Sequence, residues 1–485
     1  MVPKRVSAPV QRGLILAAAL GLCPQCGAAG QDEDLDLIPE SVSAAQPEPL
    51  SRAGKSGNSF RFFFEDEAQV NALRRGTLLP LPAEYLPGWS NRFTFYGRAD
   101  IRLAPSLSLT LADRVNHLSD ANSEFPSGKV QNDLNEAYLS WNAGREIYLD
   151  AGRINLKSGV AIGFNPVDFF RKNSVSLRTS EDPLVLRENR LGTVMARAQS
   201  LLPFGSLTLA AAPEISDKLG RFTTDKTSFA LSLQRTNAYP RYLAKISSSY
   251  KGISSDLLYY SEKPGTSFGA DISRSVGDRF VVYGEWSGGR RHSLTADALV
   301  YDAKLYGVDA LKYDYAVPGD SRRRFRSQAA AGFSFTESEN KRSTFVEFHY
   351  NEAGMADGDW KNWFMAGQVQ KLLNFPELAP VYAKVNTALW SIRDYAQRSM
   401  EPVTRRQLFI RNQWQEALLK KLDLTNLLQL NTDDFSFFLQ SSAKYNLSEH
   451  LVWNLTFYFY SGTERSEYGS VNKWNAAKTG LAYLF

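Results

Sequence analysis

Thiols are nearly absent from this chain. Its two cysteines, Cys23 and Cys26, both lie in a short apolar segment near the N-terminus. Once that segment is cut away, no disulfide staple and no thiol nucleophile remains, and the C-x-x-C spacing leaves with it. Histidine is also scarce, at four residues (His117, His292, His349 and His450). No His-Glu-x-x-His string and no Gly-x-Ser-x-Gly elbow occurs, so the familiar zinc-hydrolase and serine-hydrolase patterns are missing. Long hydrophobic runs are missing too. The one extended run, Leu14 to Cys23, is too short to cross a bilayer as a helix.

That run has a different reading. Lys4, Arg5 and Arg12 precede it and the small residues Gly27, Ala28, Ala29 and Gly30 follow. A charged start, a short apolar stretch and a small-residue exit form a secretory signal, assigned to residues 1–30. The charge then reverses. Residues 31–49 carry six acids and no base, whereas residues 1–30 carry three cations and no acid. Setting both segments aside takes the overall +5 to +8 for residues 50–485. Residues 31–91 read as an acidic, flexible periplasmic segment or a small plug. Within it, Phe60, Phe62, Phe63 and Phe64 are apolar enough to pack or to form a strand, and Pro80, Pro82 and Pro87 break any regular element.

What the chain has in quantity is aromatic residues: 29 Phe, 22 Tyr and 9 Trp, in a sequence of mean hydropathy −0.32. That combination implies apolar and polar residues interleaved along the chain. From Arg92 the interleaving is explicit. Phe93, Phe95, Gly97, Ala99, Ile101 and Leu103 alternate with Arg92, Thr94, Tyr96, Arg98, Asp100 and Arg102, a period of two with the charges on one face. The same rhythm recurs at Leu107–Leu111, Ala137–Trp141, Leu207–Leu209, Phe229–Leu233, Phe268–Ile272 and Trp453–Phe459. Short turns such as Ala104-Pro105, Phe204-Gly205 and Gly277-Asp278 alternate with longer polar segments at 115–133, 289–326 and 352–379.

A soluble β-sandwich also alternates, but it rarely strings together so many strands of eight to twelve residues. A strand with one greasy and one wet face, repeated to the chain's end, fits a wall between lipid and a polar lumen. The predicted fold is therefore all-β, a transmembrane antiparallel β-barrel of about 16–18 strands over residues 92–485, in a bacterial outer membrane.

The last strand supports this. Leu481, Tyr483 and Phe485 share one face and the chain closes on Phe485. This resembles the terminal signal by which Gram-negative outer-membrane proteins are recognised by the barrel assembly machinery, which the resemblance implies as a partner. The stretch after Ala151 is the most unusual. Gly152-Arg153 is followed by Gly159, Gly163 and Asn165-Pro166-Val167-Asp168, and alternation stops until about Gly192. A long loop rich in Gly and apolar residues does not read as a solvated tip, and residues 154–190 are expected to fold into the barrel as a constriction. The Gly-Arg, Gly, Asn-Pro-x-Asp pattern resembles porin-like barrels associated with movement of hydrophobic or lipid-like molecules, or with export of polysaccharide such as alginate. The resemblance implies that Arg153, Asn165, Pro166 and Asp168 shape the loop. Asn-Pro-x-Asp is also an ordinary turn, since Asn and Asp bond their own backbone.

The expected pore residues are Arg153, Asn155, Lys157, Asn165, Asp168, Arg171, Lys172, Arg178, Arg187 and Arg190. Their positive balance favours anions. Arg322, Arg323, Arg324 and Arg326 form a second cluster, expected to meet lipopolysaccharide phosphates or line a strand end. Arg290, Arg291 and His292 carry the same two readings. His349, near Glu347, is either half of a general-base dyad or a lumen histidine in a polar row. The functional expectation is a transport barrel, a channel or export conduit for an anionic or amphipathic solute, with an inner-membrane or periplasmic partner if it exports. A non-conducting scaffold or adhesin is the alternative, and a hydrolase a third. No cofactor, metal or nucleic acid is expected.

Overall fold

The computed structural model describes residues 57–81, 87–119, 130–144, 146–215, 231–263, 265–306 and 320–485, with side chains masked in 301–306. All lie in one compact unit. The expected signal and the acidic stretch up to residue 56 fall outside the described residues.

Eighteen antiparallel strands form one sheet closed on itself. They run β1(Ser59–Leu73), β2(Trp89–Ala104), β3(Leu107–Leu118), β4(Val130–Gly144), β5(Ile147–Ile154), β6(Thr193–Leu202), β7(Gly205–Ala212), β8(Arg241–Tyr250), β9(Ile253–Glu262), β10(Gly265–Val276), β11(Phe280–Arg291), β12(Arg324–Glu337), β13(Arg342–Asn351), β14(Arg406–Trp414), β15(Leu422–Asn431), β16(Phe437–Asn446), β17(Leu451–Ser461) and β18(Lys473–Leu484). Each strand pairs with its sequence neighbours, and β1 pairs β18 from Phe63↔Leu484 to Leu73↔Lys473, which closes the ring. Closure leaves no unpaired edge, the condition for spanning hydrocarbon with strands.

The outer face is apolar and carries two aromatic belts. Trp89, Tyr242, Tyr259, Phe268, Phe325 and Trp474 are exposed toward one rim, and Trp141, Tyr250, Phe280, Trp453, Tyr483 and Phe485 toward the other. Alternate residues point inward and are polar: Arg92 and Thr94 on β2, Asp271 on β10, Glu285 on β11, Glu347 and His349 on β13 are all buried. Eight short turns share an end with Ser59 and Phe485, the periplasmic side in barrels of this kind, and the longer loops lie opposite. Among the described residues no helix is long and apolar enough to cross a membrane. The wall is uneven: β1 and β2 have 15 and 16 residues, β5 and β7 only eight.

Several expectations need correction. The wall begins at Ser59, not Arg92. The Phe62-Phe63-Phe64 run is part of β1, with Phe63 turned inward onto Tyr96 (5.1 Å between ring centroids) and Phe64 set against Phe95 and Phe485. The rhythm is hidden there because an aromatic residue also occupies the lumen side. Residues 115–118 and 130–133 extend β3 and β4 instead of forming a loop. Leu233 lies in a single helical turn, α2(Leu233–Thr236), placed after the earlier α1(Pro183–Asn189); the rest of the strand expected at Phe229–Leu233 lies largely outside the described residues. The external segments at 289–326 and 352–379 are not plain loops. They contain α3(Leu294–Tyr306), α4(Asp357–Leu373) and, beyond the expected limit, α5(Ala379–Arg398).

These helices form a cap. Leu78 and Leu79 from the first loop, Leu294 and Ala298 from α3, Trp360, Trp363 and Phe364 from α4, and Val385, Leu389, Ile392 and Tyr395 from α5 make one buried core. Arg393 stands amid Trp360, Trp363 and Trp390, about 5 Å from each ring. It donates to Glu467 O (2.9 Å) and Ser470 Oγ (2.7 Å), tying the cap to the 462–472 loop.

Candidate functional site: the loop across the lumen

Residues 155–192 join β5 to β6 and fold into the barrel. Their glycines allow the closest approaches to the wall. At Gly163 an added Cβ would lie 2.6 Å from Phe409 Cγ and 2.7 Å from His349 Cε1. At Gly159 (φ +93°) it would overlap the Glu285 carboxylate. Two carboxylates receive the loop's backbone. Glu347 accepts Ile162 N–H (2.6 Å) and Gly163 N–H (2.9 Å), together with Tyr283 Oη–H (2.8 Å), and bonds His349 Nε2 (2.7 Å). Glu285 accepts Val160 N–H at 3.2 Å.

The loop packs between two apolar inner walls. On one side Val167, Phe169 and Phe170 meet Met195, Leu243, Leu258 and Tyr260, with Phe169 stacked on Tyr260 at 4.6 Å. On the other, Ile162 and Leu184 meet Phe345, Phe409, Leu427, Phe438, Tyr458 and Tyr460. The first wall is drawn from β6–β9 and the second from β13–β18, about half a circuit apart in the 18-strand ring. Further bonds reach Asn189 and Arg190 from Asn135 and Arg114, Thr179 O from Lys478, and Asp182 from Arg411. The loop thus spans the lumen and is held around most of the circuit.

The ten expected pore residues come together here, and most of their charge is turned to holding the loop's own shape. Asp168 takes Arg190 through both oxygens (2.8 and 3.1 Å), with Arg187 at 3.6 Å. Arg190 also donates to Asn155 Oδ1 and Leu156 O, both at 2.7 Å, and Asn155 donates to Arg187 O at 3.1 Å. Arg171 donates to the carbonyls of Asn165, Pro166 and Asp168 and to Gln328 and Glu401. Asn165 donates to Ala161 O, and Asp168 N–H closes the turn onto Asn165 O at 3.2 Å. Arg153 donates to Gly192 O (3.0 Å) and Leu231 O. Lys157 pairs with Glu188 at 2.6 Å, and Arg178 pairs with Glu181 and reaches Gln397 O. Lys172 lies over the Tyr395 ring of the cap (5.8 Å).

Sequence reasoning missed the residues that receive the loop. Glu285, Glu347, Tyr283, Asn135, Arg411 and Glu401 lie far from it in the chain or outside its expected role set. The inward parity of Glu285 and Glu347 was the available signal, although parity alone does not say what they hold. His349 is 1% exposed, with one ring nitrogen on Glu347 and the other 3.3 Å from Gln407 Oε1. Of its two sequence readings, this geometry favours the lumen histidine. The Arg322–Arg326 cluster is gathered on Asp320 through Arg322, Arg324 and Arg326, while Arg323 donates to Arg290 O.

Two external carboxylates differ in character. Burial alone would raise Glu401, but Arg291 and Arg171 against it hold it down at about 2. Glu467 is lifted to about 7 by burial, with Asp434 adding to the rise and Arg393 opposing it. A carboxyl raised in the fold contributes stability below its ordinary value near 4.5, and that contribution is lost as pH climbs toward 7, here worth roughly 3 kcal/mol. The cap is therefore expected to melt at lower temperature at pH 8 than at pH 5. Glu467→Gln should flatten that dependence, read from the fluorescence of Trp360, Trp363 and Trp390. An unchanged pH slope in the variant would refute the assignment.

Ring closure, outward aromatic belts and an inward polar face define a porin-like transmembrane β-barrel of the bacterial outer membrane. No family model matches the chain, and no curated protein matches it. Among solved structures, the chain is similar to OccK11 (OpdR) of Pseudomonas aeruginosa, with a TM-score of 0.48 and 11% identity over 90% of this chain and 99% of that one. It is also similar to the Rhodopseudomonas blastica porin, with a TM-score of 0.39 and 9% identity over 88% and 100%.

Proposed function

We propose that this barrel is an outer-membrane conduit for amphipathic molecules, with loop 155–192 as its gate. One observation carries the reading: at the loop's level two opposed inner walls are apolar and aromatic, and the loop's cations are bonded to its own carbonyls and carboxylates. Withdrawal of the loop would bare greasy surface beside fixed polar groups, which suits a solute with both characters. A simple anion filter would present its guanidiniums to the lumen.

Planar-bilayer recording tests this. The wild-type barrel should give brief, small openings, blocked by a medium-chain alkyl carboxylate at concentrations where acetate has no effect. Steady anion-selective conductance indifferent to the alkyl chain would transfer the function to small anions. A second reading, a non-conducting scaffold, draws on the breadth of the loop's contacts and on the helical cap. Silence even after the loop is released would establish it.

A further inference from the structure

At the external rim where β17, β18 and β1 meet, a cavity of about 480 Å³ opens beside the loop that follows β1. Its lower lining is apolar. Leu73, Phe459 and Trp474 are 41%, 40% and 47% exposed, and Phe459 continues the outward row of Trp453, Leu455 and Phe457. Its upper lining is the turn Arg74-Arg75-Gly76-Thr77, in which Gly76 takes a positive φ of 74°.

That turn is fixed. Arg74 N–H donates to Asn472 O (2.8 Å), Thr77 Oγ1 to Asn472 Oδ1 (2.9 Å), and Leu78 and Leu79 are buried in the cap core. Arg74 Nη2 donates to Tyr460 O at 2.6 Å, and its Nε is buried with no hydrogen-bond partner among the described residues. Burial depresses the Arg74 pKa, a cost that an anion against the guanidinium would offset. Arg75 is exposed beside it. Glu464 is the one carboxylate lining the cavity, so two cations, Arg74 and Arg75, face one acid.

We propose that this rim cavity binds a phosphorylated lipid of the outer leaflet, its phosphate on Arg74 and Arg75 and an acyl chain over Phe459 and Trp474. The height is right for that ligand, since headgroups sit where the aromatic belt ends. Guanidinium forks suit phosphate oxygens, and two adjacent ones suit them better than dispersed lysines. A free phosphate would use only the upper half of the cavity, leaving the apolar floor uncovered. In the Arg322–Arg326 cluster, expected from sequence to meet lipid phosphates, Arg322, Arg324 and Arg326 all pair with Asp320.

Native mass spectrometry of the whole barrel released from detergent tests the site. The probes are lipid A, the same lipid with its phosphates removed, and inorganic phosphate alone. Wild-type protein should retain one lipid A, and the Arg74→Gln/Arg75→Gln variant should retain it at least tenfold less. Dephosphorylated lipid should be lost as readily as from the variant, and millimolar inorganic phosphate should neither bind nor compete. Arg75→Gln alone, at an exposed position, gives the same reading if the double variant assembles poorly. Equal retention by the arginine variants would overturn the proposal. So would an equal loss in Arg322→Gln/Arg324→Gln, or competition by inorganic phosphate.

Discussion

A valine at Gly163 is expected to hold the barrel open, where the proposed gate would let the wild type open only in brief bursts. Even the first carbon of a side chain there would sit 2.6 Å from Phe409 Cγ and 2.7 Å from His349 Cε1, and both rings belong to the wall. Phe409 is completely buried and His349 nearly so, so neither has room to retreat. The loop must give way instead, and its retreat pulls Ile162 and Gly163 N–H from Glu347. Hydrogen bonds to a charged acceptor contribute about 1.5–3 kcal/mol each. Losing two of them should raise the open fraction by roughly a hundredfold or more. Single-channel recording of open probability is the measurement. Gly358→Ala, at a position with no atom within 4 Å of the added carbon, is the silent control. An open probability equal to wild type in Gly163→Val would mean that the loop is not the gate.

The second large effect is expected at Asp168. Its carboxylate holds Arg190, whose side chain is 1% exposed, and lies 3.6 Å from Arg187, at 9%. Asp168→Ala leaves buried cationic charge without its counterion, a change that costs about 3–5 kcal/mol. The strands do not depend on this pair, so the loss should fall on the loop. The variant barrel should keep its strand content and its resistance to unfolding in detergent, while a protease added to the purified protein cuts within 155–192. Exchanging the partners, Asp168→Arg with Arg190→Asp, should restore part of the protection. A cleavage pattern identical to wild type would show that the Asp168 cluster does not hold the loop.

How far the sequence revealed this molecule depended on the range of each signal. Strand alternation is local: β2 is read from a dozen residues, and β3, β10 and β17 from shorter stretches of each. β1 escapes because Phe63 puts an aromatic ring on the lumen side and erases the contrast. The helical cap escapes for a different reason. Trp360, Trp363, Phe364 and Gly367 do keep a helical spacing, but the matching stripe of Val385, Leu389, Ile392 and Ala396 lies beyond a proline-containing break at residues 374–378. Only the two stripes together look like a core. In the loop, the glycines and the Asn-Pro-Val-Asp turn marked a segment built for close packing. Which wall residues receive it depends on contacts between positions 125 and 185 residues apart, and no local pattern encodes that distance. The arginines were visible as a group. That their donors turn back onto the loop's own carbonyls is a fact of three dimensions.

The unequal strands impose something on the surroundings. An eight-residue strand tilted as barrel strands are reaches about 20 Å along the membrane normal, short of the roughly 25 Å apolar band such barrels usually present, whereas one of fifteen residues reaches nearly 40 Å. Lipids beside β5 and β7 must therefore shorten or splay, while those beside β1 and β2 do not. Leaning toward the low side, or gathering short-chain lipids there, would relieve this mismatch. The barrel carries a built-in compass for the leaflet, and its low side is where neighbouring molecules have most to gain by approaching.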